Sequence, residues 1–193
     1  MYNTIPMSKI QKFEYITHQL IDWYKSNNKT IDKNDFSKLK VLKLHFFICS
    51  ASSILTESGN NDLFSHFDKF VAMPYGHVEE DVYNFILHDK TKSFKIDNSR
   101  ITISDIEPIL DSDFTELVKK SILYLKGVNN NLVNQDAFKL VELSHNWFSW
   151  KYYFNSARDL GRLKSYIPVD VLRKENKYFI IQNDEPELSE NYI

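Results

Sequence analysis

The chain has 193 residues, 42% hydrophobic and 26% charged, which is ordinary for a soluble globular protein and long enough for one domain with a real core. A net charge of −2 gives no overall basic field for a nucleic-acid binder, and a lone cysteine excludes an intramolecular disulfide and a Cys-based zinc site. Four glycines and five prolines are too few for a sandwich or barrel, so helices with modest loops are expected, around a core rich in the fourteen Phe and eleven Tyr.

The N-terminal stretch MYNTIPMSKIQKFEY has no apolar h-region, and no run in the chain approaches the ~18 apolar residues of a spanning helix. A soluble cytoplasmic protein is therefore expected. Ser8 to Gln11 reads as a capping box, followed by Ile10, Phe13, Thr17, Leu20 and Tyr24 at helical spacing to about Lys25. Asp35 then caps a second helix, DFSKLKVLKLHFFICSASSIL, which ends at Leu55 before Ser58-Gly59-Asn60-Asn61. At ~100° per residue its apolar residues cover most of the circumference, the mark of a buried central helix. Lys40 and Lys43 interrupt that girth. Their heads lie on the same side, either facing an acidic partner or snorkelling out over Phe36 and Phe47, and snorkelling is the favoured reading.

Leu63 to Met73 reads as a short helical turn or as an extended approach to the turn Pro74-Tyr75-Gly76. A helix is expected from Val78 to His88, with Glu79, Glu80 and Asp81 in its first turn, where the dipole favours negative charge. Ser93–Ile96 and Arg100–Ile103 alternate around Asp97-Asn98-Ser99 as a small β-hairpin would. Asp113 starts a helix that Gly127 should cap, and Asn134 starts another carrying Leu140, Val141 and Ser144. A short aromatic helix through KYYFNSAR leads to Gly161, and Pro168 opens a last helix with Val169, Leu172 and Asn176 inward. The fold class that follows is mainly α, a single compact domain over residues 1–181 around the buried central helix. Residues 182–193 form an acidic tail expected to fray.

The usual signatures of chemistry are missing. There is no HExxH, no Gly-rich phosphate loop and no GxSxG elbow, and no cofactor or metal is expected. Cys49 lies mid-helix among Phe46, Phe47 and Ile48 and reads as a small buried hydrophobe, and His45 as a partly buried histidine with one satisfied nitrogen. His145, Trp147 and Trp150 form the densest polar-aromatic group, suited equally to framing a helix corner and to binding.

Three segments in order resemble the Panacea domain of SocA-like antitoxins. Lys40 to Phe47, KVLKLHFF, resembles that family's KLQKLLYF helix. Ala72-Met73-Pro74-Tyr75-Gly76-His77-Val78, followed by Val82-Tyr83, is similar to its A-x-x-YGPV…VY motif, with His77 in place of the usual proline and Met73 in place of a common tryptophan. Leu140 to His145, with Trp150 five residues on, is similar to its L-x-x-L-[ST]-H…W segment, and Ile167–Phe179 resembles its closing helix. The resemblance spans roughly Lys9 to Phe179. It implies an antitoxin, a binding protein rather than an enzyme, with a cognate protein toxin as partner. Toxins of this kind include translation-blocking nucleotidyl-transferring enzymes, and the SocA branch hands its toxin to a ClpXP-type protease. The residues it places at the partner surface or in support of the motifs are Lys40, Lys43, Tyr75, Gly76, His77, Val78, Tyr83, His145 and Trp150. Two other readings compete. One is a small enzyme built on His145, Trp150 and Tyr75. The other is a nucleic-acid-binding regulator, which needs Lys9, Lys12, Lys25, Lys29, Lys38, Lys40 and Lys43 on one face.

Overall fold

The structure, a computed structural model, describes residues 8–27, 29–56, 61–104 and 111–180. It is mainly helical, with 60% of it in helix. The acidic tail lies outside the described residues. None of the described helices is long and apolar enough to cross a membrane.

Helix α1 (Lys9–Ser26) begins at the capping box of Ser8 and Gln11, and it buries Phe13, Ile16, Leu20 and Trp23. Helix α2 (Lys38–Leu55) is buried along its length from Lys40 to Ser52. Its cap is not Asp35 but Ser37, whose hydroxyl accepts the Lys40 N–H at 3.2 Å. Asp35 is thereby free to pair with the Lys40 ammonium at 2.6 Å. A single 3-10 turn at Leu63–Ser65 follows, capped by Asp62.

The segment left ambiguous by the sequence, Leu63 to Met73, holds both alternatives in turn, the 3-10 turn and then a strand. β1 (Phe70–Met73) turns through Pro74-Tyr75 into β2 (Gly76–Glu79), antiparallel, with Val71 opposite Val78 and Ala72 opposite His77. Val78 and Glu79 therefore belong to a strand, and helix α3 (Glu80–Leu87) starts later than expected. Branched Val71 and Val78 suit the pleated surface, and the buried Glu79 carboxylate serves as the helix cap, accepting the Val82 N–H at 2.8 Å. Burial raises the Glu79 pKa, against the opposing pull of Lys9 and the Val82 N–H. Lys9, at the start of α1, holds Asp68, Glu79 and Asp81 at 2.9, 2.9 and 2.8 Å. Burial alone would lower its pKa, but hydrogen bonds to these carboxylates raise it instead.

Strands β3 (Phe94–Ile96) and β4 (Ile101–Ile103) pair antiparallel as a separate ribbon. Helices α4 (Ser112–Asn129), α5 (Ala137–His145) and α6 (Phe148–Asp159) complete the shell, and α2 packs against α1, α4, α5 and β2. The caps fall near, but not on, the expected residues. Asp111 caps α4 and Asp136 caps α5, whereas Asn134 closes a 3-10 turn. Gly127 lies within α4, which continues to Asn129.

β5 (Ser165–Tyr166) adds to the free side of β1, giving the order β2-β1-β5, with Val71 opposite Tyr166. Helix α7 (Val169–Lys174) follows Pro168 and buries Leu172, while Asn176 lies beyond it and is exposed. Arg173 of α7 forms a fork on the fully buried Asp62 carboxylate, with Nε and Nη2 at 2.8 and 3.0 Å.

Candidate functional site

The motif residues converge where the β1–β2 turn meets the α5–α6 corner, above α2. His77, on β2, is completely buried and lies flat on Phe46 of α2, with ring centroids 3.9 Å apart and planes 4° from parallel. Its Nδ1 is 2.8 Å from the Ser144 hydroxyl and its Nε2 is 2.7 Å from the Ser149 hydroxyl. Its backbone N–H donates to Ser144 Oγ at 3.2 Å. Ser149 in turn donates its N–H to Glu175 Oε2 at 2.9 Å, so four segments share one polar network. Burial, then the nearby Lys43 charge, pushes the His77 pKa well below the usual imidazole range. The ring is neutral, donating through one nitrogen and accepting through the other, and a serine hydroxyl can answer either way.

Lys43 is not a snorkelling side chain. It is fully buried, and its ammonium donates to the His77 carbonyl. Burial without a carboxylate lowers its pKa to about 7. Lys40 is equally buried, against the rings of Phe36 and Tyr24 at 5.1 and 5.8 Å, but it keeps Asp35 as counter-ion. The snorkelling expectation fails at both residues: Lys43 finds a buried carbonyl, and Lys40, covered by Phe36 and Tyr24, ends on the half-exposed Asp35 carboxylate. Of the lysines in the nucleic-acid reading, Lys40, Lys43, Lys9 through its three carboxylates and Lys12 at His66 Nδ1 are engaged with groups of the same chain.

The depressed Lys43 pKa has a measurable consequence. Between its folded value of about 7 and the ordinary value of 10.5, the unfolded chain binds the extra proton, so stability rises as pH rises through that window. Lys43→Met should flatten the rise by on the order of 2 kcal/mol between pH 7 and pH 9, read from urea melts of variant and wild type at each pH. Parallel pH curves for the two proteins would show that Lys43 is charged in the fold.

Gly76 closes the turn at a φ of +92°, where side chains are rarely tolerated. A β-carbon there would run into Ser144 Oγ and reach 3.0 Å from Lys43 Nζ. Beside it, His145 stacks on Trp150 at 3.6 Å, and Trp150 Nε1 donates to the Met73 carbonyl at 2.8 Å. Burial followed by the Lys43 charge lowers the His145 pKa to about 4, against the opposing pull of the Pro74 carbonyl. Val78 is buried and Tyr83 half-buried. Tyr75, 58% exposed, is the motif residue that projects from the tip of the turn. Cys49 is buried beside His45 Nε2 at 3.8 Å, with its thiol pushed upward by burial.

Chemically, this arrangement locks a turn onto a helix corner. Phe46 belongs to the KVLKLHFF motif, but Ser149 and Glu175, which complete the site, were not singled out by motif spacing, since a serine and a glutamate acting 26 residues apart leave no local pattern. Among the described residues, no cluster of three or more His, Cys, Asp or Glu could hold a metal.

Residues 60–151 match the family described as antitoxin SocA-like, Panacea domain. Over those residues, a little under half of its length, the chain is similar to the Panacea domain. The match contains both the turn motif at Ala72–Val78 and the Leu140–Trp150 segment, the two faces joined by the His77–Ser144 contact. Lys43, from outside the matched residues, supports the matched turn through the His77 carbonyl. No curated protein and no solved structure matches the chain.

Proposed function

We propose that this protein is a cytoplasmic antitoxin that neutralises a cognate protein toxin by binding it directly. The match to the Panacea domain over residues 60–151 carries the reading. The way the motif residues are used supports it. His77 and Lys43 spend their polar atoms on serines and a carbonyl of the same chain, as framework groups do, and the Tyr75 ring is left outward. The chain is read as one domain arranged around α2, whose surface rather than an internal dyad performs the function.

The toxin is read as a translation-blocking nucleotidyl-transferring enzyme. Capture can end in sequestration or in delivery to a ClpXP-type protease. Co-expression with the product of the adjacent gene should rescue growth and yield a stable complex on co-purification. Rescue that persists without ClpX identifies sequestration, and rescue that vanishes identifies delivery. Neither rescue nor complex would overturn the antitoxin reading. The enzyme reading, with His145 as base, requires that His145→Ala abolish a phenotype while the complex still forms.

A further inference from the structure

The surface from α6 to β5 combines apolar exposure, unpaired positive charge and a groove. Leu160, Leu163 and Tyr166 are 68%, 77% and 54% exposed, a density of bare apolar side chains that marks interaction sites. Leu160 and Tyr166 line a groove of about 430 Å³ between the C-terminal half of α6 and the sheet, with Val71 and Ala157 in its wall. That volume accommodates a few side chains.

The charged residues lining the groove are Glu80, Arg162 and Lys164, with Arg158 one turn away on α6, and the surrounding segment is basic. Residues 148–166 contain four basic residues and one acidic, in a chain whose net charge is −2. Lys164 is tied to Glu80, but Arg158 and Arg162 are exposed and make no ion pair among the described residues. The groove also adjoins a sheet edge, because β5 has β1 on one side and no strand on its other among the described residues. An unpaired edge offers backbone hydrogen bonds to an extended chain.

We propose that this groove takes an acidic, leucine-bearing extended segment of the partner protein. The apolar side chains fill the space under Leu160 and Tyr166, and the carboxylates meet Arg158 and Arg162. The assignment rests on the antitoxin reading for the partner's identity, while the chemistry of the groove can be tested without it.

A labelled peptide of alternating Glu and Leu, titrated against the full chain by fluorescence anisotropy, should bind more weakly as salt is raised. A Lys–Leu peptide of equal length should not bind. Arg158→Glu with Arg162→Glu, and separately Leu160→Ser with Leu163→Ser, should each weaken binding by about tenfold or more. Leu123→Ser, at an exposed position on α4, should change nothing. No binding by wild type, or equal binding by both double variants, overturns the proposal. A chain ending at Ile180 that binds the peptide at least tenfold tighter than the full chain would assign the groove to the protein's own acidic residues 182–193 and also overturn it. The adjacent gene's product separates the two readings. Equal co-purification with wild type and both double variants removes the groove and leaves the antitoxin. Peptide binding at the groove with no complex from the adjacent gene removes the antitoxin and leaves the groove.

Discussion

Gly76→Ala should cost about 3–4 kcal/mol of stability, combining the strain of a β-carbon at positive φ with overpacking of a filled space. The glycine sits at φ +92° with Ser144 Oγ and Lys43 Nζ in the path of any side chain. Neither neighbour is free to retreat. Ser144 holds the His77 ring and backbone N–H, and Lys43 holds the His77 carbonyl. The melting temperature should fall by about 6–16 °C, at 2–4 °C per kcal/mol for a chain of this size. A Gly76→Ala protein that melts with wild type would mean the turn can relax, and the tightness argued for the motif would be wrong.

Arg173→Ala should be of comparable size, about 3–5 kcal/mol, because removing one partner of a buried pair leaves the other uncompensated. The stranded group is Asp62, whose side chain is fully buried and takes two of the three polar contacts made by the Arg173 guanidinium. Ser65 N–H still donates to Asp62 at 3.2 Å, which softens the loss without supplying a charge. Adding Asp62→Asn should return part of the stability, and a double-mutant cycle by urea denaturation measures the coupling. Additive losses would show that the fork, however good its geometry, contributes no pair energy.

The helices were the legible part of this chain. A 3.6-residue apolar period locates α1, α2, α4 and α5, and short polar residues mark their starts to within two positions. The misplacements have a common cause. Asp35, Asp111, Asp113 and Asn134 are all competent caps, and the choice among them depends on what else each can pair with, as Asp35 does with Lys40. The sheet was harder to read. β1 and β2 are four residues each, interrupted by a turn, and β5 is two residues long, too short for alternation to register. Lys40 and Lys43 were read as surface groups because lysine is seldom fully buried. What buries them is a carboxylate on one side and the carbonyl of His77, 34 residues away, on the other. A family pattern brought Tyr75, Gly76, His77, His145 and Trp150 to notice, but only packing separates the four turned inward or half-covered from the one that projects.

The pairing of β1 with β5 also sets a schedule for synthesis. Val71 waits for Tyr166, and Ser149 waits for Glu175, so the sheet and the network behind the turn stay incomplete until the last part of the chain has been made. At roughly 5–20 residues per second, the interval between the two strands is on the order of 5–20 s, long compared with the closing of a local helix. A chain halted partway through synthesis would therefore expose the β1 edge and lack the Glu175 acceptor behind the turn.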